Sequence, residues 1–106
     1  MARSQLKAVL AGGLPVDFGF VVYSPFESEA VAKTGIVPMP AEHDYEMGGH
    51  SVLLVGYDDR AQTFLVRNSW GTGWGIDGTG YFTLPYPYLE DPTLSSSFRV
   101  VQHVPG

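Results

Sequence analysis

A histidine and an asparagine are the residues of this chain whose types and neighbours could do chemistry. His50 follows two glycines and begins an apolar run that ends in Gly56 and Tyr57. Asn68 lies 18 residues later and opens the octapeptide Asn-Ser-Trp-Gly-Thr-Gly-Trp-Gly. A neutral amide that hydrogen-bonds one imidazole nitrogen fixes the tautomer and plane of the ring, which a histidine acting as general base requires. A lone histidine at a strand end is more often structural, so the Asn68 segment is what favours catalysis.

A β-hairpin is predicted to bring these two residues together. The apolar residues over 50–57 predict a strand, the polar residues 58–62 predict a turn, and 63–68 predict a returning strand. In such a hairpin the end of the second strand lies beside the start of the first. We therefore expect the amide of Asn68 to hydrogen-bond the ring of His50.

The rest of the chain predicts a single, mostly β domain over residues 1–106. Even positions from 16 to 22 are all apolar, as in a strand with one buried side. We predict an α+β fold in which a twisted antiparallel sheet curls toward a barrel behind a short N-terminal helix. The predicted elements are a helix over 4–10 with Ser4 as N-cap, a strand over 16–22, an irregular connection over 24–49 with one turn near 27–32, a strand over 79–84, a turn-rich segment over 85–92, a turn at 95–97 and a closing strand over 98–104.

Composition excludes several classes of function. The net charge of −5, with only six lysines and arginines along 106 residues, argues against nucleic acid as a partner. The longest apolar stretch, 16–23, is interrupted by Asp17 and is far shorter than the roughly 20 residues a membrane helix needs. The chain has no cysteine and therefore no disulfide. We expect no membrane partner and no cofactor.

Two other groups of residues are weaker candidates. His43, Asp44 and Glu46 precede His50 in a predicted loop, but their spacing matches no compact metal site, and we predict no metal. Serines adjoin both chemistry-bearing residues, at 51 and 69. Neighbours along one strand point to opposite faces, so neither serine is placed to serve as a nucleophile for His50.

The two blocks around His50 and Asn68 resemble the His and Asn blocks of the papain family of cysteine peptidases. The similarity runs through 49–57 and 66–75 and continues into Gly80, Tyr81 and Phe82. It extends from about residue 6 to residue 98 and is closer to bacterial members than to lysosomal or plant ones. The resemblance implies that the chain is the second lobe of that fold.

The resemblance also implies roles for individual residues. His50 corresponds to the general base and Asn68 to the amide that orients it. The implied supporting residues are Trp70 as the indole that shields this pair, Trp74 as an aromatic residue near the leaving-group side of the cleft, and Gly19, Gly48 and Gly49 near positions that line the substrate pocket.

The missing cysteine is the chief departure from the family pattern. In that family the nucleophilic Cys lies in a lobe that precedes the His and Asn, about 130–150 residues earlier, whereas here only 49 residues precede His50. The resemblance therefore implies a partner, the Cys-bearing lobe from the same gene or a separate chain, and a peptide or protein substrate. We expect the chain alone to be inactive. The alternative is a non-catalytic peptide- or protein-binding module on a truncated fold of this kind.

Overall fold

The computed structural model describes residues 2–69 and 71–102. Strands alternate with short helices along the chain. Short 3₁₀ helices occupy Ser24–Glu27 and Ile76–Gly78. The other elements are α1 (Arg3–Ala11), β1 (Val16–Tyr23), α2 (Glu29–Thr34), β2 (Glu46–Asp58), β3 (Thr63–Arg67), β4 (Tyr81–Pro85), α3 (Tyr86–Glu90) and β5 (Ser95–Val100).

The five strands form one antiparallel sheet in the order β4-β3-β2-β1-β5. The predicted mostly β, antiparallel fold with an N-terminal helix is confirmed. The sheet is open, however, because β4 and β5 form its two edges and do not pair with each other. Part of the β4 edge is occupied instead by the chain after α2, where Ile36 makes a parallel bridge with Thr83. The expected curl does not close into a barrel.

One face of the sheet carries the core. Alternate residues of β1 are buried, and the same alternation continues on β3 and β4. Leu6 of α1, Val31 of α2 and Leu89 of α3 belong to the same core cluster, so the helices cover this face. We call it the inner face and the opposite one the outer face. Fully buried residues of the inner face include Val16, Phe18, Leu54, Phe64, Val66, Phe82 and Leu84.

The strand that holds His50 begins earlier than predicted. β2 starts at Glu46 because Gly48 and Gly49 already pair with Val22 and Val21 of β1. The prediction of an irregular connection up to residue 49 is therefore wrong at its end. Residues before and after His50 in β2 pair with β1, so the backbone of His50 is held on both sides.

Four other local predictions need correction. Helix α1 is capped at Ala2, with no side-chain cap, and not at Ser4. The turn-rich segment contains α3, whose prolines lie at its cap and first turn, where a missing N–H costs nothing. Residues 95–97 belong to β5 and not to a turn, because Ser95 and Ser96 pair with Phe20 and Gly19 of β1. The strand predicted over 98–104 ends at Val100, and positions 103 and 104 lie outside the described residues.

Candidate active site

His50 stands on the inner face near the end of the sheet. Its Cα partner on β1 is Phe20, and the two rings meet edge to face with centroids 6.0 Å apart. Phe26, from the 3₁₀ helix after β1, lies on another side with its ring centroid 6.3 Å from that of His50. These two buried aromatic rings limit the positions that the half-buried imidazole can adopt.

Asn68 follows the last residue of β3 and is almost fully buried, with 4% of its surface exposed. Its backbone N–H donates a hydrogen bond to the carbonyl of Gly80 over 2.9 Å. The residue is therefore tied to the chain that enters β4 as well as to β3. This double attachment fixes the direction in which its amide points.

The expected contact between the two side chains is present. His50 Nε2 lies 2.8 Å from Asn68 Oδ1. The backbone N–H of Ser69 donates to the same oxygen over 2.8 Å. Because a backbone N–H needs an acceptor, this second bond identifies the shared atom as the amide oxygen. His50 Nε2 must then be the donor, which leaves Nδ1 as the basic nitrogen of the neutral ring.

The glycine-rich loop after Asn68 supports this arrangement through its backbone. Gly71, Gly73 and Gly75 have φ angles of 76°, 90° and 82°, a region that side chains strongly disfavour. The N–H of Gly75 donates to the carbonyl of Ala32 in α2 over 2.7 Å. The loop is thus joined to α2 as well as to β4.

Hollows lie on both sides of His50. One, of about 260 Å³, is lined by Gly19, Gly49 and His50 together with Ser96. The other, of about 110 Å³, is lined by Gly48, Gly49 and His50 with Met47 and Phe26. All three glycines named from the sequence therefore border a hollow beside the imidazole. Their role toward a substrate stays a prediction.

Of the two tryptophans, Trp74 lies among the described residues. Trp74 is partly buried, and its ring centroid lies 5.3 Å from that of Phe26 and 5.6 Å from that of Phe82. It therefore reaches the neighbourhood of His50 through Phe26. Trp70, predicted to shield the His–Asn pair, lies outside the described residues.

Sequence reasoning did not find all the groups around the site. The Ser69 N–H that orients the amide carries no residue-type signal, because every non-proline residue has one. The apolar alternation over 16–22 predicts Phe20 as a buried strand residue, but its position opposite His50 depends on strand register. Phe26 lies in the segment 24–49, which the sequence predicts to be irregular. No periodic pattern there marks Phe26 as a neighbour of His50.

Within residues 2–69 and 71–102 no cluster of three or more His, Asp or Glu side chains is placed to hold a metal ion. None of the helices in the same ranges is long and apolar enough to cross a membrane.

Comparison with known proteins decides the family. The model of the papain family of cysteine proteases matches residues 1–87. The chain belongs to this family. An uncharacterized peptidase C1-like protein of Acanthamoeba polyphaga mimivirus is 48% identical over 100 residues, and a cathepsin B-like protein of Giardia intestinalis is 38% identical over 88 residues. The matches cover 94% and 78% of this chain.

A solved papain-family structure agrees with the fold. Xylellain, a cysteine protease from Xylella fastidiosa, superposes with a TM-score of 0.83 and 42% identity over 94% of this chain. The match spans 36% of xylellain, 32% of the viral protein and 26% of the Giardia protein. The chain thus spans about a third or less of the length of these relatives.

Proposed function

We propose that this chain is the part of a papain-like cysteine peptidase that supplies the general base and its orienting amide for peptide-bond hydrolysis. His50 is the base and Asn68 is the amide. The nucleophilic thiol comes from a Cys-bearing lobe, encoded in the same gene or in a separate chain. The substrate is a peptide or protein.

The hydrogen bond from His50 Nε2 to Asn68 Oδ1 is the observation that carries this proposal. It commits the ring to the tautomer in which Nδ1 is the basic nitrogen. The Ser69 N–H prevents the amide from turning its nitrogen toward the ring, because that N–H would then lose its acceptor. A base held in one tautomer and one plane needs no rearrangement before it accepts a proton.

The chemistry follows from this arrangement. Nδ1 of His50 takes the proton of the thiol, and the thiolate attacks the carbonyl carbon of the scissile peptide. When the tetrahedral intermediate collapses, the imidazolium returns the proton to the leaving amine, and an acyl-enzyme thioester remains. His50 then removes a proton from a water molecule, which hydrolyses the thioester and regenerates the thiol. The amide oxygen of Asn68 stays hydrogen-bonded to Nε2 throughout and accepts no proton in any step.

A chimera of xylellain tests the proposal. The matched third of xylellain is replaced by this chain, so that one polypeptide contains both a Cys-bearing lobe and His50. We expect the chimera to hydrolyse peptide substrates. We expect His50→Ala to lower kcat/KM by about 10³-fold or more, and Asn68→Ala to lower it by roughly 5- to 150-fold, the equivalent of a lost hydrogen bond of about 1–3 kcal/mol.

Two controls sharpen this experiment. His43→Ala changes an exposed histidine in the loop before β2 and should leave the rate unchanged. The chain by itself should show neither turnover nor labelling by iodoacetamide, since it contains no cysteine. A folded chimera whose activity is the same with and without His50 would contradict the proposal. A folded but inactive chimera whose grafted chain still binds peptides would favour the alternative of a non-catalytic binding module.

A further inference from the structure

The smaller of the two hollows beside His50 combines an apolar wall with one acidic group. Val22, Phe26 and Met47 form the apolar wall, and the first two are buried in the core. Glu27, the last residue of the 3₁₀ helix after β1, also lines the hollow. Its volume of about 110 Å³ is well below the roughly 300–1,000 Å³ typical of a site for a whole small molecule. The hollow therefore suits a single side chain.

Two glycines keep this hollow open toward the imidazole. Gly48 and Gly49 line it directly before His50 in β2. A Cβ on either glycine would meet nothing within 4 Å, so the space beside their backbone is unfilled. A side chain that enters this space lies next to the imidazole. It therefore belongs to a substrate residue beside the bond that His50 helps to cleave.

Glu27 has no cationic partner among the residues that the structure describes. The ion pairs of those residues use other carboxylates, namely Asp17, Glu29, Asp59 and Glu90. None of the described residues that line the hollow is a lysine or an arginine. Glu27 is exposed, so its carboxylate stands at the rim of the hollow and not at its base. A carboxylate in this position attracts a cationic guest and repels an anionic one.

Lysine and arginine have the two properties that this hollow selects for. Their apolar stems pack along apolar surface while the charged head stays in contact with water. Val22, Phe26 and Met47 offer that surface, and the exposed Glu27 receives the head. Met47 is half-exposed and unbranched, so it can adjust to stems of different length. A substrate glutamate would meet a like charge, and a substrate methionine would fill the hollow without pairing with Glu27.

We propose that Glu27 is a specificity-determining residue that selects a lysine or arginine of the substrate directly beside the scissile bond. This rests on the proposed function, because the catalytic role of His50 is what places the cleaved bond next to the hollow. The selection acts on one side of that bond only. The 260 Å³ hollow, which Glu27 does not line, lies on the other side of His50 and receives the residue across the bond.

Peptides with one varied position test the inference in the xylellain chimera. Two series place Lys, Arg, Met or Glu either directly before or directly after the scissile bond. In one series, kcat/KM should be at least about threefold higher for the lysine and arginine peptides than for the methionine peptide, as one partly exposed charged contact provides. The glutamate peptide should be the poorest substrate of that series.

Substitutions at Glu27 identify the source of this preference. Glu27→Gln should reduce the preference for lysine over methionine to less than about twofold, and Glu27→Lys should reverse the order of the lysine and glutamate peptides. Neither substitution should alter the order of peptides in the other series. The matched control is Glu46→Gln, which removes an exposed carboxylate that does not line the hollow and should keep the parental preference. Thermal unfolding of each variant checks that the chimera remains folded.

A binding measurement on the chain alone does not depend on catalysis. Argininamide carries the apolar stem and the cation, whereas citrullinamide has nearly the same shape without the charge. In ¹⁵N NMR titrations, argininamide should shift the backbone amide signals of Gly48 and Gly49, and citrullinamide should shift them much less. Glu27→Gln should remove the difference between the two compounds, and Glu46→Gln should preserve it.

The outcomes distinguish this inference from the proposed function. If the chimera depends on His50 but Glu27→Gln keeps the parental preference, the inference is overturned and the proposed function stands. If Glu46→Gln weakens the preference as much as Glu27→Gln does, the negative charge of the whole surface is responsible and the inference is overturned. If activity does not depend on His50 but argininamide binds the hollow through Glu27, the proposed function fails and the hollow remains a site for a basic side chain.

Discussion

At the scale of single residues, the oxygen and the nitrogen of the Asn68 amide differ in their hydrogen bonds. The oxygen of Asn68 accepts two hydrogen bonds, whereas Nδ2 is buried and has no hydrogen-bond partner within the described residues. The oxygen of Asn68 is therefore the end of the amide that fixes its position toward His50.

The tautomer of His50 can be tested in this chain without a nucleophile. At a pH where the ring is neutral, ¹⁵N NMR should show a protonated Nε2 and an unprotonated Nδ1, because Asn68 Oδ1 accepts the Nε2 proton. Asn68→Ala should give a mixture of both tautomers. The exposed His43 is an internal control whose nitrogen shifts should not change between the two proteins. A protonated Nδ1 on neutral His50 in the parent chain would contradict the assignment.

At the scale of elements, the loop between β3 and β4 holds Asn68 through backbone contacts. The N–H of Gly80 donates to the carbonyl of Trp74, and the N–H of Gly73 donates to that of Gly78, at 2.7 and 2.8 Å. Several of its glycines have positive φ, but they differ in the space around them. A Cβ on Gly75 would collide with the carbonyl of Tyr81, whereas one on Gly73 would meet nothing within 4 Å.

This difference predicts unequal effects of two alanine substitutions. Gly73→Ala carries only the strain of a left-handed backbone, about 1–2 kcal/mol in the free energy of unfolding. Gly75→Ala adds displacement of β4 and should destabilise the chain by clearly more. It should also lengthen the His50–Asn68 contact, because β4 begins beside Gly80, which accepts the Asn68 N–H. Urea unfolding measures the first effect and the His50 tautomer the second. Equal destabilisation by both variants would contradict this account.

At the scale of the whole molecule, a polar network joins the N-terminal helix to the far end of the sheet. Asp59, in the turn after β2, accepts hydrogen bonds from Lys7 of α1 at 2.8 Å and from the hydroxyl of Tyr86 at 2.6 Å. Arg3 pairs with Glu90 of α3 at 2.6 Å. The network lies at the opposite end of β2 from His50, so it anchors α1 without touching the site.

Asp59 should make the stability of the chain depend on pH in the acidic range. The hydrogen bond from Lys7, followed by that from Tyr86, holds the pKa of the Asp59 carboxyl below its usual value. Its contribution to stability is therefore present above the unfolded-state pKa of about 3.9 and is lost as pH falls through the lower pKa of the folded state. Asp59→Asn should lower the melting temperature at pH 7, and the difference from the parent should shrink on acidification below about pH 4.

A neighbouring carboxylate controls this pH experiment. Asp58→Asn alters an exposed carboxylate that, among the residues the structure describes, accepts side-chain hydrogen bonds from the backbone N–H groups of Arg60 and Ala61. It should lack the coupling to α1 that Asp59 provides. Tyr86→Phe should cost about 1 kcal/mol at pH 7 through the lost hydrogen bond, and this cost should also shrink as Asp59 becomes protonated, because that bond helps to lower the Asp59 pKa. A difference between Asp59→Asn and the parent that grows on acidification would refute the argument.

Local pattern was sufficient to predict the contact between His50 and Asn68 and part of the fold. The His–Asn pair and its hairpin are predicted from properties of short segments. These are the residue types at 50 and 68, the polar turn between them and the even apolar positions of β1. Predictions failed where long-range contacts override local preference. Gly48 and Gly49 belong to a strand because β1 pairs with them, and the prolines near α3 allow a helix because Tyr86, Tyr88 and Leu89 bury their side chains.

The sequence by itself determined which residues could act as base and orienting amide. His50 follows two glycines, and Asn68 opens a segment rich in tryptophan and glycine, and both patterns can be read without a structure. Only the tertiary structure decided which imidazole nitrogen is basic, because that depends on the Ser69 N–H reaching the same oxygen as His50. It also decided that Phe20 stands opposite His50. These facts depend on strand register, which is set by contacts between residues far apart in the chain.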